Sequence, residues 1–209
     1  MTVEELFKKR HQVKMYSQTL IPEKPLVQEV IDKAFQLTAS KQNLMPYKVH
    51  ILGPEHKDLK EKFFEISKRN KGGGQNYNIR APYLLLFTNR LITNPSPSVF
   101  RKMKLGHGYP MCDPNKYKTN IANRENVSLE VGMFAKVLTA LCMEKDFQVS
   151  YLLCFADWKE DDPLWKEFDF IKDPVVFSMQ IGYESKIMTV KDSKIFEQKP
   201  NKDEVINWI

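Results

Sequence analysis

The chain has 209 residues, enough for one sizeable core, with 42% hydrophobic and 28% charged side chains, a balance ordinary for a globular protein. Its 32 Lys and Arg exceed 26 Asp and Glu by 6; the excess is scattered, favours anionic partners in general and comes with no nucleic-acid motif. Cys112, Cys142 and Cys154 lack CxxC or CxxH spacing, which excludes an encoded zinc site or disulfide framework. No run of about 18 apolar residues stands out as a membrane span. The start Met1-Thr2-Val3-Glu4-Glu5 is acidic where a secretory signal is basic, so a cytoplasmic location is expected.

Residues 3 to 12 read as a short helix with Val3, Leu6 and Phe7 on one side, its acidic start and basic end matching the helix dipole. Prolines at Pro22 and Pro25 open a second helix that lasts to about Leu37 through Leu26, Val27, Val30, Ile31, Ala34 and Phe35. Tyr47, Val49 and Ile51 recur at strand period. Residues 55 to 70 form another amphipathic helix through Leu59, Phe63 and Ile66, followed by Gly72-Gly73-Gly74, read as a connector because no GK[ST] continuation follows. The run Tyr83-Leu84-Leu85-Leu86-Phe87 behind Pro82 predicts a strand buried on both faces.

Residues 89 to 123 change character, with Pro95, Pro97, Pro110 and Pro114 among Phe100, Tyr109 and Tyr117; this is either an aromatic-bearing excursion over a site or a surface loop with one packed helix. Val127, Val131, Phe134, Ala135, Leu138 and Leu141 mark a long central helix. Phe147 to Phe155 and Pro174 to Gly182 are two further strands. From 184 to 209 the chain is charged and weakly patterned until Asn201-Lys202-Asp203-Glu204, which resembles a capping box before Val205, Ile206 and Trp208. Such a tail needs a surface to lie on, and a partner subunit supplies one. The expectation is one domain over residues 1 to 209.

Two stretches carry candidate chemistry. Arg10, His11 and Lys14 put three cations or potential cations into five residues, either a solvated basic face or a phosphate site in which Arg10 gives a planar fork and Lys14 a point charge. The loop Thr38-Ala39-Ser40-Lys41-Gln42-Asn43-Leu44-Met45-Pro46-Tyr47 joins helix to strand, and its hydroxyl and amide groups suit a turn as well as recognition of a neutral heteroaromatic edge. No Ser/His/Asp arrangement is present, and His11, His50, His56 and His107 are scattered.

Taken in order, Lys9-Arg10-His11-Gln12-Val13-Lys14-Met15-Tyr16, Ser40 through Tyr47, Ala81-Pro82 before the buried strand, and Lys199-Pro200 before Glu204-Val205-Ile206-Asn207-Trp208 resemble the nitroreductase family of FMN enzymes. The resemblance implies an α+β fold with a mixed central sheet flanked by helices. It also implies a homodimer with the 184–209 tail exchanged and FMN in the interface. It assigns Arg10, His11, Gln12 and Lys14 to the FMN phosphate and ribityl chain, with Gln12 where a serine is commoner. Ala39 by its backbone, and Ser40 and Asn43 by their side chains, are placed along the flavin; Met45 and Tyr47 replace the usual glutamine and tryptophan. Leu153 and Cys154 stand where relatives carry a polar residue and glycine beside flavin N5, leaving the Cys154 N–H as donor. Lys194 or Lys199 completes the phosphate site.

The implied activity is reduction of a flat, electron-poor acceptor, a nitroaromatic or quinone, at the expense of NADH or NADPH. FMN passes the hydride in two half-reactions, with no catalytic side chain and no metal. The alternative is a flavin-binding, storage or flavin-modifying protein. Neither reading needs a nucleic acid or a membrane.

Overall fold

The computed structural model describes residues 2–69, 75–117, 121–155, 161–185, 200 and 202–206, with the backbone alone at 121–124 and 203. The Gly72-Gly73-Gly74 connector, Lys194 and Lys199 lie outside the described residues, as does most of the tail.

Helix α1 (Val3–Lys8) is shorter than the sequence pattern predicts. Thr2 and Glu5 close a reciprocal capping box at its start, and after Lys9 the chain leaves the helix to run beside the sheet. Helix α2 (Lys24–Leu37) places Pro25 in its first turn, where no N–H bond is lost. It leads through the loop to β1 (Tyr47–Leu52), then α3 (Lys57–Lys68), β2 (Tyr83–Asn89) and α4 (Pro97–Lys104) inside the excursion. The long helix α5 (Ile121–Glu144) precedes β3 (Gln148–Leu152); α6 (Pro163–Lys166), β4 (Val175–Gly182) and α7 (Lys202–Val205) complete the described elements.

The four strands run in the order β1-β2-β4-β3. All three pairings are antiparallel, so of the mixed sheet expected, the described strands supply only the antiparallel part. β2 is buried along all seven residues, as its unbroken apolar run predicts. Tyr83, Leu85 and Phe87 face a core shared with α2 and α5, whereas Leu84 and Leu86 face a second core with Phe63, Ile66, Trp165 and Phe168. The sheet is therefore sandwiched between two helical layers, and β3 is left as an edge.

Helix α5 is the centre of the first layer. Val127, Val131, Phe134, Leu138 and Cys142 bury one stripe against α2 and the sheet. Residues 125–144 reach a mean hydropathy of 1.3, as apolar as a membrane-crossing helix, and 56% of that stretch is buried inside the protein, which accounts for its composition. Leu129 and Met133 on α5, with Phe35 and Leu37 on α2, remain exposed apolar residues on this layer.

Candidate functional site

Residues 10–17 are pinned along the far end of the sheet. Val13 and Tyr16 are buried with Ala81, Ser17 N–H donates to Tyr183 O at 2.8 Å, and Ser185 N–H donates to Met15 O at 3.0 Å. Pro82 and Tyr16 lie so close to Gly182 that a Cβ there would sit 2.7 Å and 2.8 Å from their ring carbons. These anchors fix the backbone that carries the cationic side chains. The Arg10 guanidinium lies 5.6 Å from the centroid of the Tyr151 ring, close enough for a cation–π contact. Lys14 is exposed.

Two residues of the motif have partners of their own. His11 Nε2 is 2.9 Å from Glu184 Oε2. Gln12 pairs with the edge strand, its Nε2 donating 2.8 Å to Tyr151 O and its Oε1 accepting from Tyr151 N–H at 3.4 Å. β3 is an edge strand among the described ones, so this amide satisfies backbone groups that would otherwise face solvent. The longer glutamine reaches the strand, and its side chain is occupied there.

β3 ends one residue before Leu153, whereas the sequence pattern ran the strand to Phe155. Leu153 is 65% exposed and Cys154 is exposed. No described backbone carbonyl accepts the Cys154 N–H, and Asn76 Nδ2 donates to Cys154 O at 3.4 Å. Arg10, His11 and Gln12 are thus brought together with Tyr151 and Glu184 at the edge that continues into Leu153 and Cys154.

The loop of residues 38–47 forms a second group. Ser40 Oγ donates to Glu130 Oε2 at 2.6 Å and accepts from Met45 N–H at 2.8 Å, while Lys41 N–H donates to Glu130 Oε1 at 3.2 Å. From the other side Arg90 donates through Nε to Met45 O at 2.9 Å and through Nη2 to Leu44 O at 2.5 Å. The backbone between the clamps is left-handed at Gln42, Asn43 and Met45, with φ of 58°, 55° and 44°. Asn tolerates that region; Gln and Met adopt it at a cost of roughly 1–2 kcal/mol each, which the clamps offset. Gln42 Oε1 is buried with no donor among the described residues. Ala39 and Asn43 are exposed, and the Asn43 amide has no described partner. Burial, then the Glu130 charge, pushes the Tyr47 phenol up to about 12, with Arg90 opposing.

No described hydrogen bond or ion pair joins the two groups. Both touch α5: the loop through Glu130, and the β3 edge through a hydrogen bond between the Tyr151 and Thr139 hydroxyls. Nine residues of helix separate those contacts, about 14 Å along the axis.

Glu130, Arg90, Tyr151, Asn76 and Glu184 belong to these groups and were not singled out from sequence. Only Glu130 carried a signal there: it falls three residues after Val127 and four before Phe134, a lone carboxylate on the buried stripe of a helix, a position that demands a partner.

Comparison with family models gives no match, and comparison with curated proteins gives none either. Solved structures do match. A protein from Staphylococcus epidermidis assigned as an NAD(P)H:FMN oxidoreductase superposes with a TM-score of 0.69 at 14% identity, over 99% of this chain and 95% of that one. A nitroreductase family protein from Streptococcus pneumoniae gives 0.61 at 20% identity over 100% of both chains. One from Exiguobacterium sibiricum, assigned as a nitroreductase and solved in complex with FMN, gives 0.69 at 12% identity over 100% of this chain and 98% of that one. This chain has the nitroreductase fold.

Proposed function

We propose that the chain is one FMN-binding domain of an NAD(P)H-dependent oxidoreductase that reduces flat, electron-poor acceptors. The observation that carries this reading is the set of uncommitted polar groups on a nitroreductase fold: Lys14, the Asn43 amide, the Cys154 N–H and the buried Gln42 Oε1. Their chemistry fits FMN. Arg10 and Lys14 would hold its phosphate by charge, and the amides and Cys154 N–H would meet the donor and acceptor edge of its ring. His11 and Gln12 contribute by fixing that segment, through Glu184 and Tyr151 respectively.

Bound FMN would supply reversible hydride transfer; the protein's part is position, electrostatics and exclusion of water. Cys154 N–H would donate where negative charge builds on the ring, a role a backbone group fills whatever its side chain. Leu153 offers an apolar wall in place of a polar anchor, which favours acceptors bound by stacking. A homodimer completes the site in this reading. The exposed Phe35, Leu37, Leu129 and Met133 form the face to be covered, and one copy's Asn43 loop would lie over the other copy's β3 edge, closing the 14 Å gap along α5. Lys194 or Lys199 remains the proposed further phosphate cation.

Anaerobic addition of NADH or NADPH to FMN-loaded protein is expected to bleach the oxidised flavin's visible absorbance with at least one donor. Persistence of the oxidised spectrum with both donors would overturn the reductase reading. The exposed Leu153, with no polar side chain at that place, favours a second reading, flavin storage or modification, in which FMN is retained or altered without turnover of an added acceptor. Product analysis separates the two.

The loop's part in cofactor binding is tested by three substitutions. Asn43→Leu and Asn43→Gly should each weaken FMN binding roughly tenfold, the worth of one good hydrogen bond, whereas Lys41→Ala should leave it within about twofold. The glycine variant keeps the left-handed backbone and removes only the amide. Equal FMN affinity in all three proteins returns the loop to being a turn.

A further inference from the structure

Away from both groups, a cavity of about 410 Å³ opens between the α1–α2 connection, the start of α3 and the entry to β2, lined by residues that include Gln18, Ile21, Lys57, Lys60, Arg80 and Pro82. It shares no residue with the candidate flavin site. Its volume falls within the range of about 300–1,000 Å³ usual for small-molecule sites.

The charges on its wall do not balance. Glu61 and Arg80 form a two-point pair, Nε and Nη2 each donating to a carboxylate oxygen at 2.6 Å, and they neutralise each other. Lys57 and Lys60 are left as excess positive charge. Lys60 is only 4% exposed, so its ammonium belongs to the inner wall. It donates to Ala81 O at 2.8 Å and Pro82 O at 2.7 Å, two neutral acceptors. An ammonium has three N–H groups, and the third has no described protein acceptor. Buried cations are ordinarily paired with an anion, and among the described residues none is within ion-pair distance of Lys60, Glu55 acting on it only through space.

We infer that this cavity binds a small organic anion, its carboxylate or phosphate head on Lys60 and Lys57 and its body against Ile21, Pro54 and Pro82. The apolar residues supply contact area for the body, and Gln18, whose amide nitrogen donates to Tyr16 O and Arg80 O, forms a fixed polar wall.

The charged groups about Lys60 are Lys57 and Glu61 on its own helix, Glu55 in the turn before it and Arg80 from the turn before β2. Burial lowers the Lys60 ammonium to about 8; Lys57 adds to that and Glu55, itself beside Lys24 and His56, opposes it. The ammonium is charged below that pH and neutral above it. Anion binding is therefore favoured at neutral pH and lost as the pH rises through 8.

The test is calorimetric titration with benzoate and phenyl phosphate, with benzamide and phenol as uncharged matches. Both anions should bind at pH 7 and neither uncharged compound should. Benzoate keeps its charge above pH 7, and its affinity should fall roughly tenfold or more by pH 9.5. Lys60→Met should abolish benzoate binding; exposed Lys57→Glu, which carries no fold risk, should weaken it about tenfold; Arg10→Ala should leave benzoate binding unchanged, whatever phenyl phosphate it loses at the separate Arg10–Lys14 group. Equal binding of charged and uncharged compounds, no binding at pH 7, or binding lost in Arg10→Ala yet kept in Lys57→Glu each overturns the assignment.

Discussion

Glu130→Leu should cost about 3 kcal/mol of stability and detach the Ser40–Met45 loop from α5. The carboxylate is 6% exposed and accepts from the Ser40 hydroxyl and the Lys41 N–H. Leucine fills its volume but leaves both part-buried donors without acceptors, at about 1–2 kcal/mol each. In a chain of this size that lowers the melting temperature by roughly 8 °C. Glu130→Gln keeps one acceptor oxygen, so its cost should be about 1 kcal/mol. The left-handed residues sharpen the expectation. Gln42 and Met45 hold unfavourable backbone angles only because Glu130 and Arg90 clamp them from opposite sides, and loss of one clamp lets the loop relax. Hydrogen exchange reads this directly: the Lys41 amide should lose protection in Glu130→Leu while the β2 amides keep theirs. Unchanged Lys41 protection would show that Glu130 does not hold the loop. If FMN binds along this loop, its affinity should fall in parallel.

The elements that the sequence made legible are those with strong periodicity or strong composition. β2 announced itself as an unbroken apolar run, because burial on both faces removes the need for a polar face, and α5 as a helix apolar nearly all round, of which one stripe is buried while Leu129 and Met133 stay exposed. The boundaries were less legible where the chain's neighbours decide them. Residues 9–12 continue the helical pattern of α1, yet they leave the helix because Gln12 and His11 gain partners on Tyr151 and Glu184, contacts more than 130 positions away. The end of β3 was overrun for a related reason: Leu153 looks like a strand residue but lies 65% exposed beyond the last pairing with β4.

The candidate site was legible in its motifs and illegible in its supports. Ser40 stood out as a loop hydroxyl, but its acceptor lies 90 positions on, on a different element. Arg90, just after a buried strand, gives no sign in sequence that it faces back toward Leu44 and Met45. The antiparallel order β1-β2-β4-β3 likewise depends on long-range pairing, which local patterning does not encode.

Gln180→Leu should be the more damaging of two core substitutions, at roughly 4 kcal/mol, because it opens the buried polar cluster that the Tyr16 hydroxyl joins through Ser150 Oγ and the Gln180 backbone oxygen. Ser150, Ser178 and Gln180 are fully buried, and Tyr16 and Asn78 are 3% and 5% exposed. Ser150 Oγ donates to Gln180 Oε1 at 2.7 Å, Asn78 Nδ2 donates to the same oxygen at 3.3 Å, and Gln180 Nε2 donates to Ser178 Oγ at 3.0 Å. Tyr16 joins by donating to Ser150 Oγ at 2.9 Å, and burial pushes its phenol well above the ordinary range, so it remains a neutral donor. Leucine at 180 strips the Ser150 hydroxyl of its acceptor and weakens the satisfaction of Asn78, while Ser178 keeps its bond to Leu152 O. A half-satisfied network is worse than an apolar one. Adding Ser150→Ala to Gln180→Leu removes the orphaned hydroxyl but also the last acceptor of Asn78 Nδ2, which reaches Ser150 Oγ at 3.2 Å, so the two costs should not add and the coupling should reach about 1–2 kcal/mol. Urea unfolding of the four proteins measures that coupling. Additivity within about 0.5 kcal/mol would mean that the cluster's bonds act separately, and that Tyr16 is held by its packing against Val13 and Ala81 instead.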